Sequence, residues 1–196
     1  RPRHRPGGGV RPGGDGRRLA IEMEGRDATI WDVAGARRLA TLDGARHAVL
    51  DVDGHRALAW TDGAVQVWSV DDHRVLATLA TASTYRPIAF VAGGRRVVLQ
   101  DAGETTRALA ICDVDTGAIV ATIPDVSAEP TLDPRAAFLT VILASHRVET
   151  WDLRAERLDA PAAVFASDQL QQAQSDLSGE LIAAIEKGTL SLAVLR

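Results

Sequence analysis

Two aspartate pairs, each spaced by one residue, are the strongest hint of chemistry in this 196-residue chain. They occur at Asp51-Val52-Asp53 and Asp113-Val114-Asp115, and alternate carboxylates in a tight loop can converge on one Ca²⁺. A complete calcium loop also needs glycine at its sixth position and glutamate at its twelfth. Those positions hold Arg56 and Asp62 in the first case, and Ala118 and Pro124 in the second. We therefore expect these aspartates to stabilise turns between strands, and we predict no metal site.

The histidines likewise lack the spacing of a metal or catalytic site. The chain has five of them: His4, His47, His55, His73 and His146. Ser145 and His146 are adjacent in sequence, which is the wrong geometry for one to serve as base to the other. The serine hydrolase elbow, the zinc helix motif, the phosphate loop and the dinucleotide fingerprint are all absent. The sequence predicts no catalytic residue and no cofactor.

Composition narrows the class of protein further. A net charge of −4 and an aromatic content of 4% make a nucleic-acid partner unfavourable, because such surfaces are basic and use aromatic platforms. The single cysteine, Cys112, cannot form an internal disulfide. No apolar run approaches the roughly 18 residues of a membrane helix. We expect a globular cytoplasmic protein without a membrane partner.

A dipeptide that begins with tryptophan, or with cysteine in the third copy, recurs about every forty residues. This spacing is typical of repeats built from four-stranded sheets. The copies are Trp31-Asp32, Trp68-Ser69, Cys112-Asp113 and Trp151-Asp152. Each copy ends a short apolar run, and the period-two alternation of residues 65–68 predicts a strand rather than a helix. This recurrence predicts an all-β chain.

Two further segments repeat in register with the tryptophan strand. One is a tight turn that enters an apolar strand, as in residues 15–20, 53–58 and 93–98. The other is the strand that follows the tryptophan strand, at residues 39–42, 76–79 and 120–123. In the fourth copy the segment 158–161 ends in Pro161, which cannot donate to a strand ladder and therefore fits an outer edge strand. Each repeat thus predicts several short antiparallel strands.

These residues resemble the WD-repeat family of β-propellers. Asp62–Ser69 is similar to the family's turn and tryptophan strand, and Trp31-Asp32 and Trp151-Asp152 match its signature dipeptide. The nearest approach to the family's Gly-His pair is Gly44–His47, so its His–Ser/Thr–Trp–Asp hydrogen-bond set cannot form, as in divergent bacterial WD-like propellers. The resemblance implies a β-propeller of about five four-stranded blades with tryptophans packed between them.

The first 14 residues are rich in Gly, Pro and Arg and predict a flexible linker or tail, since they cannot bury enough apolar surface to become ordered. The repeats occupy residues 15–196, in units at approximately 15–43, 44–80, 81–124, 125–165 and 166–196. The first unit lacks an inner strand and the last lacks an outer one, so the sequence predicts 18 strands. Because these gaps do not complement each other, and the chain opens on Arg1, we expect a fragment of a larger, seven-bladed propeller. An irregular five-bladed ring is the alternative.

The resemblance implies a non-catalytic interaction scaffold or sensor module, the C-terminal WD-repeat part of a larger bacterial protein. WD-repeat proteins usually bind a protein or peptide at one rim, formed by the turns before the inner and tryptophan strands. The residues that map there are Arg26, Arg46, His47, Tyr85, Arg86, Arg107 and His146. The alternative is a propeller enzyme of lactonase, lyase or quinoprotein type with its site in the central channel. The predicted inner strands are mainly apolar and offer such an enzyme no convergent titratable groups.

Overall fold

The chain folds into a series of antiparallel sheets that follow one another in sequence. A computed structural model describes residues 9–61, 64–79, 85–101, 107–133, 135–166, 170–175, 181–186 and 189–194, with side chains described up to Val164. Within these residues there are five sheets, of which the first four have four strands and the last has three. The predictions of an all-β chain and of repeated four-stranded sheets are confirmed.

Each of the first two sheets is a meander in which sequential strands pair side by side. The first sheet contains β1 (Gly9–Pro12), β2 (Arg18–Glu22), β3 (Ala28–Asp32) and β4 (Arg37–Leu42). The second contains β5 (His47–Leu50), β6 (Arg56–Trp60), β7 (Val65–Ser69) and β8 (Arg74–Leu79). Short loops and alternating apolar residues account for this local pairing.

The remaining sheets repeat the same order. The third contains β9 (Tyr85–Val91), β10 (Arg96–Asp101), β11 (Leu109–Asp113) and β12 (Ile119–Ile123). The fourth contains β13 (Thr131–Leu132), β14 (Phe138–Ile142), β15 (Arg147–Asp152) and β16 (Ala163–Ala166). The fifth contains β17 (Leu170–Ser175), β18 (Leu181–Glu186) and β19 (Thr189–Val194). The outer strand of the fourth sheet therefore follows Pro161 instead of containing it.

A β-bulge recurs at the tryptophan position. In three sheets the register shifts between the third and fourth strands, immediately before Trp31, Trp68 and Cys112. The extra residue on the outer strand is Leu39 in the first sheet and Leu76 in the second. Because a bulge bends its strand and increases the local twist, the outer strands of these three sheets share the same local distortion. The repetition seen in the sequence is thus also a repetition of backbone geometry.

The sheets pack face to face in chain order. One apolar cluster joins the first and second sheets and includes Ile30 and Trp68. A second cluster joins the second and third sheets, and a third cluster, which includes Val98 and Trp151, joins the third and fourth. Strand β17 of the fifth sheet packs against β13 and β14 of the fourth. No closed ring is identified among the described strands.

Arginines at the start of the second strand reach from one sheet to the next. In the first three sheets these residues are Arg18, Arg56 and Arg96. Arg18 donates through Nη1 to the carbonyl oxygen of Gly54 (2.8 Å) and pairs through Nη2 with Asp71 (2.9 Å), both in the second sheet. The guanidinium of Arg56 lies 5.6 Å from the ring centroid of Phe90 in the third sheet. Within the residues whose side chains are described, the three interfaces between the first four sheets each combine an apolar centre with an arginine contact at one end.

The prediction of a linker over residues 1–14 is wrong for residues 9–12. Strand β1 pairs with β2 from Gly9 opposite Glu22 to Pro12 opposite Leu19. Backbone pairing needs few apolar side chains, and proline is tolerated at the end of an edge strand. The first sheet consequently has its inner strand, and the described chain contains 19 strands instead of the predicted 18. Residues 1–8 lie outside the described part.

Cys112, which stands at the tryptophan position of the third sheet, should be chemically inert in the native protein. Its side chain is fully buried at 0% exposure, and burial raises the pKa of the thiol to about 11. Because the thiolate is the nucleophile, we expect no reaction with Ellman's reagent at neutral pH while the protein stays folded. The same sample in concentrated guanidinium chloride should release one equivalent of chromophore per chain. Rapid labelling of the native protein would contradict the buried position.

Candidate functional site

The loops that enter the first and third strands lie together along one edge of the sheets, which we call the upper edge. This follows from the alternating strand direction, which sends the loops entering the second and fourth strands to the opposite, lower edge. All seven residues predicted for the rim lie at the upper edge, six of them exposed and Tyr85 half-buried. These seven are Arg26, Arg46, His47, Tyr85, Arg86, Arg107 and His146.

Backbone hydrogen bonds tie the upper edges of the third and fourth sheets to the segment that links them. The N–H of Val126 donates to the carbonyl of Arg107 (2.8 Å), and the N–H of Ala144 donates to the carbonyl of Asp125 (2.7 Å). The Arg107 guanidinium also pairs with Glu129 at 3.6 Å. Both charged groups of that pair are more than half exposed, so it contributes at most about 1 kcal/mol. Backbone bonding, rather than this ion pair, sets the shape of the edge here.

A buried carboxylate organises the upper edge between the first and second sheets. Glu22, the last residue of β2, is only 7% exposed. One of its oxygens accepts from the N–H of Ala48 (3.0 Å), and the other lies 3.0 Å from Nδ1 of His47. Arg11 approaches the same carboxylate at 3.4 Å. The imidazole of His47 stacks on the ring of Trp60 with 5.3 Å between centroids. His47 is therefore held in a fixed orientation at the protein surface.

In the third sheet, Gln100 holds the position that Glu22 holds in the first, and it pairs with Arg86. Gln100 is 1% exposed, and its Oε1 accepts from Nε (3.0 Å) and Nη2 (2.5 Å) of Arg86. These donors fix the orientation of the amide, so its Nε2 points away from Arg86. That nitrogen and Nε1 of Trp60 are both buried without a hydrogen-bond partner. A buried donor without an acceptor costs about 1–3 kcal/mol, so both atoms favour an added acceptor such as a water, a carbonyl or a carboxylate.

The strand register distinguishes the surroundings of Trp60 from those of Glu22. Ala48, whose N–H satisfies Glu22, pairs with Ala59 in its own sheet, and Pro87 occupies the matching position opposite Leu99 in the third sheet. Proline has no N–H. The Glu22 carboxylate at the end of β2 accepts from the N–H of Ala48 in the next sheet. At the end of β6, Trp60 carries a donor instead of an acceptor, and the matching residue of the next sheet is Pro87, which has no N–H.

Sequence reasoning did not single out Glu22, Trp60 or Gln100. Each lies four residues after the arginine near the start of the second strand of its sheet, on the face directed at the following sheet. The available signal was a polar or amphipathic residue at or next to the last position of an otherwise apolar strand. That signal is ambiguous in a sequence, because the end of a strand is commonly exposed. Only the packing of successive sheets makes these positions buried.

The aspartates considered for calcium are engaged in turns. A carboxylate oxygen of Asp51 accepts from the N–H of Arg56 (3.1 Å). Asp113 accepts from the N–H (2.9 Å) and the hydroxyl (2.8 Å) of Thr116, and these hydrogen bonds lower the pKa of Asp113. Within the described residues, no group of three His, Cys, Asp or Glu side chains is placed to hold a metal ion.

Two other rim residues have distinct environments. Burial raises the pKa of the Tyr85 hydroxyl, and the nearby carboxylate of Asp101 adds to the effect, so Tyr85 presents a neutral hydroxyl at neutral pH. His146 lies in the turn before β15, where its N–H donates to the carbonyl of Leu143 (2.9 Å). Ser145 beside it is exposed like His146, and no hydrogen bond joins the two side chains in the described part.

Comparison with known proteins gives no assignment for the chain. Neither a scan against models of known protein families nor a search of curated proteins returns a match. Among the described residues, no helix has the length and apolar character needed to cross a membrane.

Proposed function

We propose that the chain is a WD-repeat-like β-propeller array that acts as a non-catalytic interaction module, with its partner bound along the upper edge. The observation that carries this proposal is the pair of buried, unpartnered donors at that edge, Nε1 of Trp60 and Nε2 of Gln100. Both lie beside exposed side chains, those of His47 and Arg86. A protein or peptide segment brings backbone carbonyls and carboxylates, which are the acceptors that these positions lack.

The residue types at the upper edge support a macromolecular partner. Arginine, tryptophan and tyrosine are the residues most enriched at interface hot spots, and Arg86, Tyr85 and Trp60 lie on adjacent sheets. His47 and Arg86 are held by Glu22 and Gln100, respectively. A side chain that is already ordered loses less conformational entropy on binding. The upper edge is therefore a largely preformed surface that is suited to binding a partner.

Selection of peptide binders from a display library tests this proposal. We expect the selected peptides to lose about tenfold or more in affinity for His47→Ala and for Arg86→Ala, the scale of a hot-spot truncation. Arg17→Ala and Arg95→Ala are matched controls, since both arginines are exposed at the lower edge. Circular dichroism and melting curves exclude unfolding as the cause. Binders that tolerate both upper-edge variants and fail with the lower-edge ones would overturn the assignment of the interface.

A hydrolytic enzyme is the second candidate, and one observation favours it. The buried Glu22 carboxylate lies within hydrogen-bond distance of Nδ1 of His47 while the imidazole remains about half exposed, an arrangement that orients a general base. Hydrolysis of generic esters or lactones that disappears in His47→Ala but persists in His55→Ala would support this function. A His47-independent rate would remove the argument.

A further inference from the structure

A cleft of about 680 Å³ opens between the first and second sheets on their outer side. It lies between strand β4 and the hairpin of β7 and β8, and none of its lining residues is among the upper-edge residues named above. Its volume is within the range of small-molecule sites. The residues that give it chemical character are Arg38, Asp43, Trp68, His73, Arg74 and Val75.

Positive charge dominates the wall of this outer cleft. The side chains of Arg38 and His73 make no hydrogen bond or ion pair within the described part of the chain. Arg74 makes a 3.7 Å ion pair with Asp72, but both side chains are mostly exposed, so the pair is weak. Asp43 is the single carboxylate among the described lining residues. An anion entering the cleft would meet cationic groups that are not already committed to a strong partner.

The floor of the cleft is apolar. Trp68 is 7% exposed, and its indole N–H already donates to Oε1 of Gln66 (3.0 Å), so its contribution to the cleft is an aromatic surface. Leu39, the extra residue of the β-bulge, also lines the cleft beside β3. Val75 is 38% exposed and forms part of the other wall. An apolar group of a ligand would cover these surfaces and exclude water from them.

We infer that the outer cleft binds a small organic anion, a carboxylate carried on an aromatic or aliphatic body. The planar guanidinium of Arg38 suits a carboxylate because two of its N–H groups can donate to both oxygens. Arg74 adds positive charge beside it and the His73 imidazole offers a ring N–H, while the body of the ligand lies against Trp68 and Val75. The residues of this site are not those of the upper edge, so the inference does not depend on the proposed interaction function.

Three ligands with the same ring test the inference. Benzoate, benzamide and benzylammonium differ in charge, and each is titrated into ¹⁵N-labelled protein while the Trp68 indole cross-peak, assigned from a Trp68→Phe spectrum, is followed. We expect benzoate to shift this cross-peak saturably and benzamide to bind about tenfold more weakly, the difference made by charge-assisted hydrogen bonds. Benzylammonium should not saturate. Equal binding of benzamide and benzoate, or no saturable shift with benzoate, overturns the inference.

Adjacent arginines on β4 supply a matched pair of variants. Arg38→Gln removes the charge that lines the cleft, whereas Arg37→Gln removes an equal charge from the neighbouring residue, which does not line it. We expect Arg38→Gln to weaken benzoate binding by about tenfold and Arg37→Gln to leave it within about twofold, the scale of exposed charge effects. Equal losses in the two variants would show a general charge effect and would refute a specific site.

Discussion

Replacing Trp68 by alanine should lower the free energy of unfolding by about 3–5 kcal/mol, the usual cost of truncating a buried tryptophan. Trp68 is 7% exposed and belongs to the apolar cluster between the first and second sheets. Its removal leaves a cavity in that cluster and also leaves Oε1 of Gln66 without the indole N–H that it accepts. A domain has only about 5–15 kcal/mol in total, so urea denaturation should show a midpoint shifted far toward lower concentration.

Trp31 provides the control for this prediction, because it holds the same place in the first sheet but is only half-buried. Its indole makes the same kind of bond, to the hydroxyl of Thr29 (3.0 Å). The face of the first sheet that carries Trp31 has no preceding sheet in the described chain. Trp31→Ala should therefore cost less than half as much as Trp68→Ala. Equal losses for the two variants would contradict the packing of the second sheet on the first.

The fold was predictable where it depends on local pattern. Alternation in residues 65–68 and the recurring turns determine strands and hairpins, since both arise from neighbouring residues. Pro161 also showed in the sequence that the fourth outer strand differs from the others, although that strand begins at Ala163. Strand β1 was missed because it is held by backbone pairing to β2 and contains one apolar residue, Val10. Pairing of that kind leaves little trace in hydrophobic pattern.

The candidate site was predictable only in outline. The resemblance to WD repeats selected residues such as His47 and Arg86, and the structure places both at the upper edge; whether they bind a partner stays a prediction. The buried residues that hold them are Glu22, which lies 25 residues from His47 in sequence, and Gln100, which lies 14 residues from Arg86. The outer cleft likewise exists only because two sheets meet. Features made by the packing of separate sheets cannot be read from the periodicity of one strand.

Replacing Arg96 by alanine should also lower the free energy of unfolding strongly, because Arg96 connects the third sheet to the fourth. It is 9% exposed, and its guanidinium donates to three backbone carbonyls in the turn after β15. The acceptors are Leu153 (2.7 Å), Ala155 (2.7 Å) and Glu156 (2.9 Å). Arg96→Ala leaves these carbonyls without that donor. We expect a loss of about 3 kcal/mol, since hydrogen bonds to a charged group contribute about 1.5–3 kcal/mol each and do not add fully.

Successive sheets that pack on one another in chain order create both the upper edge and the outer cleft. Urea unfolding of Arg96→Ala beside Arg95→Ala tests this packing. Arg95 is exposed, and its replacement should change the free energy of unfolding by no more than about 0.5 kcal/mol. We expect a difference of about 2–3 kcal/mol in the free energy of unfolding between the two variants. Indistinguishable unfolding curves would mean that Arg96 does not reach the fourth sheet, and would contradict the packing order.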